Sequence, residues 1–178
     1  MSVHGLHRTM AFSTGRAIVL GVAVALMAAF GPAARAGVGA ESGLPLPRFV
    51  SLHASEVNVR TGPGVRYPVE WVFVKRGLPV EVAAEFENWR KVRDWQGTEG
   101  WVHQSMLSGR RTMVVMGDVR ALRRKADDGS VVVASAEAGV IGRLLECSGD
   151  WCRVEIAGFK GWLRRDEIWG VYDGERVE

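Results

Sequence analysis

The sequence predicts an all-β protein made of two small domains in tandem, and three observations carry that prediction. After residue 47 the apolar residues come in runs of four to seven with strand character, separated by Gly, Asn, Asp and Pro. The second half repeats the first. Asn88-Trp89-Arg90-Lys91-Val92 followed by Gly100-Trp101-Val102 recurs as Asp150-Trp151-Cys152-Arg153-Val154 followed by Gly161-Trp162-Leu163, at an offset of 62 for the first tryptophan and 61 for the second. Gly77 and Gly139 fall in the same register of 62. Finally, everything ahead of the repeat differs from it in composition. A duplicated unit of about sixty residues is a small domain used twice, which favours binding over a single catalytic centre.

Residues 1–36 read as a signal peptide. Arg8 and Arg16 precede an apolar run from Ala17 to Phe30, Gly31-Pro32 breaks it, and Ala34-Arg35-Ala36 supplies an A-x-A site, so cleavage is expected after about Ala36. A run of 14 residues spans roughly 21 Å as a helix, short of a hydrocarbon core of about 30 Å. The leader has no cysteine for a lipid anchor. The expectation is an exported, periplasmic protein with no stable membrane anchor.

Residues 37–47, rich in Gly and Pro, read as a tether. The first unit is expected over 48–110. Its strands are Phe49 to His53, Val57 to Arg60, Glu70 to Val74, Leu78 to Ala84, Trp89 to Trp95 and Gly100 to His103, with turns at Arg76-Gly77, Glu87-Asn88 and Gln96-Gly97. The second unit, 111–178, follows the same grammar: Arg120 to Leu122, Val131 to Ala134, Gly142 to Cys147, Trp151 to Ala157 and Gly161 to Leu163. Gln104 to Leu107 and Arg165 to Ile168 occupy equivalent places as short helical turns. Each unit is a small barrel or sandwich.

Domains of this size bury only about 60% of their unfolded surface and need extra stabilisation. Cys147 and Cys152 flank a four-residue turn between apolar strands, which suits a disulfide in an oxidising compartment. Their spacing is not that of a C-x-x-C redox motif. With only His53 and His103 after the leader they make no zinc set, so no metal site is expected.

Charge excludes a general attraction to nucleic acid. The chain has 23 Lys+Arg and 20 Asp+Glu, but the leader holds three arginines and no acid, so the remainder is balanced. The cluster Arg120, Arg123, Arg124, Lys125 is followed by Asp127 and Asp128 and reads as a solvated loop of mixed charge.

Catalytic patterns are missing too. Gly62-Pro63-Gly64 lacks the third glycine and following helix of a phosphate cradle, no G-x-S-x-G elbow occurs, and the pairs Asp127-Asp128 and Asp166-Glu167 are adjacent in sequence and diverge. His103 beside Ser105 reads as a surface histidine. No enzyme activity and no cofactor are expected.

The run Val57-Asn58-Val59-Arg60-Thr61-Gly62-Pro63-Gly64, then Trp89-Arg90-Lys91-Val92, then Gly100-Trp101-Val102 resembles the bacterial SH3 domain, whose order is V-N-V-R-x-G-P-G, W-x-K-V, G-W-V. The likeness covers roughly Phe49 to Leu107. The second unit keeps the two tryptophan elements but places Arg123-Arg124-Lys125-Ala126 against Thr61-Gly62-Pro63-Gly64. The resemblance implies two tandem SH3-like barrels, exported and non-enzymatic, acting at the cell envelope, where some relatives recognise peptidoglycan stem or cross-bridge peptides.

Tryptophans present in both units, Trp89, Trp101, Trp151 and Trp162, are assigned to core and hairpin packing. Ligand contacts are sought among residues of unit one alone. Tyr67, Trp71 and Trp95, with Arg60, Arg93 and Asp94, would form an aromatic groove for a short peptide carrying both charges. The expected partner is a peptidoglycan peptide. The other reading is a structural adaptor, with the barrels packed together and presenting a loop or edge strand to an envelope protein.

Overall fold

The computed structural model describes residues 37–178. The expected signal peptide, 1–36, lies outside the described residues. Sixteen strands and two 3₁₀ turns follow in order: β1 Gly37–Val38, β2 Pro45–Leu46, β3 Arg48–Leu52, β4 Val57–Arg60, β5 Val69–Phe73, β6 Pro79–Phe86, β7 Trp89–Arg93, β8 Glu99–His103, a turn at Gln104–Met106, β9 Leu107–Ser108, β10 Thr112–Val115, β11 Arg120–Arg123, β12 Val132–Ala136, β13 Ile141–Ser148, β14 Trp151–Ile156, β15 Phe159–Arg164, a turn at Arg165–Glu167, and β16 Ile168–Trp169. No helix among the described residues is long and apolar enough to cross a membrane.

The duplication is complete at the level of topology. One seven-stranded sheet runs β5-β4-β8-β7-β6-β3-β9 and the other β12-β11-β15-β14-β13-β10-β16, which is the same order strand for strand. Each sheet has one register shift in its first hairpin, at Val59/Arg60 and Leu122/Arg123, and one in its next, at Val82/Ala84 and Leu144/Glu146. Such bulges bend a strand and tighten its twist, which a small barrel needs in order to curl around its core. The cores are separate. Leu52, Val57, Val59, Val80, Val82, Val92 and Val102 fill barrel 1, and Met113, Leu122, Leu144, Cys152, Val154 and Leu163 fill barrel 2. Both come from the inward positions of alternating strands.

The glycine of each Gly-Trp strand is required by close approach. A Cβ on Gly100 would lie 2.3 Å from Val59 Cγ1 and 3.0 Å from the Arg60 carbonyl. On Gly161 it would lie 2.6 Å from Leu122 Cγ and 2.7 Å from the Arg123 carbonyl. The strands β4 and β11 cross over these glycines, so the motif marks a strand crossing.

Cys147 and Cys152 are bonded, directly opposite one another on β13 and β14 with Cα atoms 4.1 Å apart. Cys147 also exchanges backbone hydrogen bonds with Val177, which hold the C-terminal tail against β13.

The 37–47 stretch departs from the tether expectation. It folds into the hairpin β1-β2, and Glu85 organises it. The Glu85 carboxylate accepts from the Ser42 hydroxyl at 2.6 Å, from the Ser42 and Glu41 amides, and from Arg48 at 2.8 Å. Composition reported the Gly and Pro; a docked hairpin depends on a carboxylate more than forty residues away.

The barrels are joined by a seam. Phe49 of β3 packs edge-on against Trp169 at 4.8 Å and tilted against Tyr172 at 4.6 Å, with the Arg111 guanidinium 5.9 Å from its ring. Tyr172 donates to Glu81 of β6 at 2.9 Å, and Glu81 also accepts from Arg93. Ile141, at the start of β13, packs against the barrel 1 core.

Candidate functional site

The residues proposed for an aromatic groove occupy separate local roles. The Tyr67 ring lies against the backbone of its own loop: a Cβ on Gly62 would meet it at 2.5 Å. Arg60 donates to the carbonyls of Tyr67 at 2.7 Å and Val65 at 3.2 Å, locking the loop from below. Trp71 is 52% exposed on β5, an edge strand of its sheet. Trp95 packs on the barrel 1 core. Asp94 is buried, and its Oδ1 accepts from the amides of Gln96 at 2.9 Å and Thr98 at 2.8 Å, so it shapes the hairpin turn instead of facing a ligand. Arg93 is engaged with Glu81 at the seam. Among the described residues, ring stacking joins Phe49, Trp169 and Tyr172, and joins Trp89 and His103, but not Tyr67, Trp71 and Trp95.

The repeated tryptophans are half-buried on the outer face of the sheet and are absent from both cores. The reason is register. Trp89 is two positions from Lys91 on β7, while the inward positions are Arg90 and Val92. Each tryptophan faces a basic residue across the ladder: Trp89 opposite His103, Lys91 opposite Trp101, Trp151 opposite Arg164, Arg153 opposite Trp162. These are cross-strand pairs of a basic and an aromatic side chain, and in one of them the Arg164 guanidinium lies over the Trp151 ring.

Around Trp89 this arrangement leaves a cleft of about 240 Å³, lined by Glu56, Asn58, Arg60, Val65, Trp89, His103 and Met106. The His103 ring stands edge-on to Trp89, centroids 5.4 Å apart. Its Nδ1 shares a 2.8 Å hydrogen bond with Ser105 Oγ and also lies 3.4 Å from the Ser105 amide, so the turn after β8 fixes the ring. Arg60 is the one residue of the expected groove that lines this cleft. It supplies a cation and Glu56 an anion, and Trp89 and Met106 add an indole and a thioether to the lining.

Barrel 2 shows what closes such a cleft. Arg123 is the counterpart of Arg60: each pairs with the tryptophan of the Gly-Trp strand, and Arg123 donates to the Ser130 carbonyl at 3.2 Å as Arg60 does to Tyr67. The true offset through the first hairpin is therefore 63, and the alignment of Arg123 with Thr61 moves by one residue. In this register Asp128 stands where Val65 does, and at the offset of 61 through the last hairpin Arg164 stands where His103 does. Arg164 lies over Trp151 at 4.9 Å and is held there by a bidentate ion pair with Asp128. The Arg164 bond draws the Asp128 carboxyl below its usual range. Both indoles are half-buried, but the Arg164 guanidinium lies over Trp151, whereas Trp89 lines a cleft.

Sequence reasoning passed over Trp89 because repetition was taken as a sign of packing, and over His103 because it read as a surface histidine. The signal that finds them is the difference between units at the neighbours of a shared tryptophan: His103/Arg164, readable at the offset of 61, and Val65/Asp128, readable only once the offset of 63 is known.

The family model for the bacterial SH3 domain matches the chain twice, over residues 53–109 and 117–170. Among solved structures, NlpC2 from Trichomonas vaginalis is 11% identical, aligned over 69% of this chain and 48% of its own, with a TM-score of 0.33. NlpC1 from the same organism is 12% identical, over 74% and 48%, also with a TM-score of 0.33. The aligned part thus makes up about half the length of these two proteins. No match was found among the curated proteins. With two matched copies covering most of the described residues, and one strand order executed twice, the chain belongs to the bacterial SH3 domain family.

Proposed function

We propose that this protein is a non-catalytic, periplasmic binding protein that recognises a peptide-like ligand of the cell wall through the Trp89 cleft of barrel 1. The observation that carries this reading is the contrast between the barrels. The same indole lines a cleft together with Glu56 and Arg60 in one, and lies under the arginine of an internal ion pair in the other. A short peptide with a free carboxylate and amine matches that rim, and stacking on the indole adds apolar contact without demanding one sequence. Grooves of this size give weak binding to single sites, strengthened on a polymer that offers many.

Co-sedimentation with isolated sacculi tests the proposal. Binding is expected for the protein and at least a fivefold loss is expected for Trp89→Ala, a change of about 1 kcal/mol or more. Retention of full binding by Trp89→Ala, in a variant that still melts cooperatively, refutes the cleft as the site.

A second reading, an adaptor for another envelope protein, is favoured by the seam of Phe49, Trp169, Tyr172 and Glu81, which packs the barrels together, and by the exposed Val69 and Trp71 on edge strand β5. Edge strands with apolar side chains are suited to strand addition. Loss of a captured protein partner in Trp71→Ala, with sacculus binding absent throughout, would favour it.

A further inference from the structure

A larger cleft lies between the barrels, about 440 Å³, bounded by His53 and Arg76 from barrel 1, Arg110 from the connection, and Thr112, Arg143 and Glu155 from barrel 2. Its charges do not balance. Three guanidiniums and an imidazole share the cleft with a single carboxylate, Glu155, which already accepts from Arg143 at 3.3 Å. Among the described residues neither Arg76 nor Arg110 has a side-chain ion pair. Thr112, on the same lining, is buried with its Oγ1 lacking a hydrogen-bond partner.

Uncompensated cations along one cleft repel each other and raise the local potential towards anions. The chain is otherwise even-handed, with equal numbers of acids and bases after the leader, so this excess is a matter of placement and not of composition. Guanidinium groups bind phosphate and carboxylate through paired, charge-assisted hydrogen bonds. The walls come from both barrels, so the cleft exists only because the seam fixes their relation.

We propose that the inter-barrel cleft binds a multiply charged oxyanion, the phosphoryl or polycarboxylate group of a larger ligand, with Arg76 and Arg110 as its main contacts. This site is distinct from the Trp89 cleft, shares none of its residues, and takes a ligand of different charge.

Titration of the protein with inorganic pyrophosphate and, separately, with citrate at low ionic strength, followed by amide NMR, tests the proposal. Saturable shifts at Gly77, Ser108 and Gly158 are expected with at least one probe, and preference between the probes distinguishes a phosphoryl from a carboxylate ligand. Arg76→Gln with Arg110→Gln is expected to weaken binding about tenfold or more. Arg124→Gln with Lys125→Gln removes the same charge from the first loop of barrel 2 and is expected to change affinity less than about twofold. Absence of saturable shifts with both probes, or equal losses in the two double variants, overturns the proposal.

Discussion

The Tyr172 hydroxyl donates to Glu81 Oε1 at 2.9 Å, tying the tail of the second barrel to the central strand β6 of the first across 91 positions of sequence. Burial first, and then the Glu81 and Glu175 charges, push the phenol well above its ordinary range. A raised phenol stabilises the fold below the ordinary tyrosine pKa of about 10 and loses that contribution as pH rises above it. Tyr172→Phe is expected to cost about 1–3 kcal/mol in urea unfolding at neutral pH, because Glu81 loses a buried donor. It should also flatten the decline in stability above about pH 10. An unchanged alkaline profile in the variant would place the titrating group elsewhere.

Acid should release the N-terminal hairpin. Burial alone would raise the Glu85 carboxyl, but hydrogen bonds from Ser42 and Arg48 and the charge of Arg90 outweigh it and bring the pKa down to about 2. A depressed carboxyl contributes stability above its unfolded value, about 4.3, and that contribution is lost as pH falls towards the folded value. The linkage amounts to roughly 3 kcal/mol at most, at about 1.4 kcal/mol per pKa unit. Protection of the Ser42 and Leu44 amides against hydrogen exchange should therefore fall between about pH 4 and pH 2, and in Glu85→Gln should be low already at neutral pH.

The strand crossings over Gly100 and Gly161 set the cost of a single methyl group. Gly100→Ala meets Val59 and Gly161→Ala meets Leu122, with the Arg60 and Arg123 carbonyls close behind. Each is expected to destabilise by about 1–3 kcal/mol through overpacking. Gly109→Ala, where a Cβ meets nothing within 4 Å, should stay within about 0.5 kcal/mol of the wild type in the same urea series.

Two residues are expected to transfer the clamp from one barrel to the other. Val65→Asp with His103→Arg places on barrel 1 the pair that covers Trp151, and should abolish binding of sacculi while preserving the melting transition. Asp128→Ala frees Arg164 and should shift the Trp151 indole resonance without altering binding. Because Arg164 holds the Asp128 carboxyl below its usual range, lowering the pH beneath that range should shift the same resonance in the wild type and leave it still in Asp128→Ala.

The sequence by itself determined the all-β fold, the repeat, the turn residues and the paired cysteines, because each follows from local chemistry: period-two alternation, glycine at hairpin turns, and a spacing that closes across one turn. Trp89 was legible as a repeated residue but not as an open one. Its side chain points outward because Arg90 and Val92 take the inward positions, and its face stays uncovered because position 65 carries valine where barrel 2 carries the aspartate that anchors Arg164. The docking of residues 37–47 on Glu85, the use of Asp94 inside its own turn, the Phe49–Tyr172 seam and the arginine-lined cleft behind it were decided only by tertiary structure. Each depends on groups brought together from distant parts of the chain, and no local periodicity encodes which of those groups will meet.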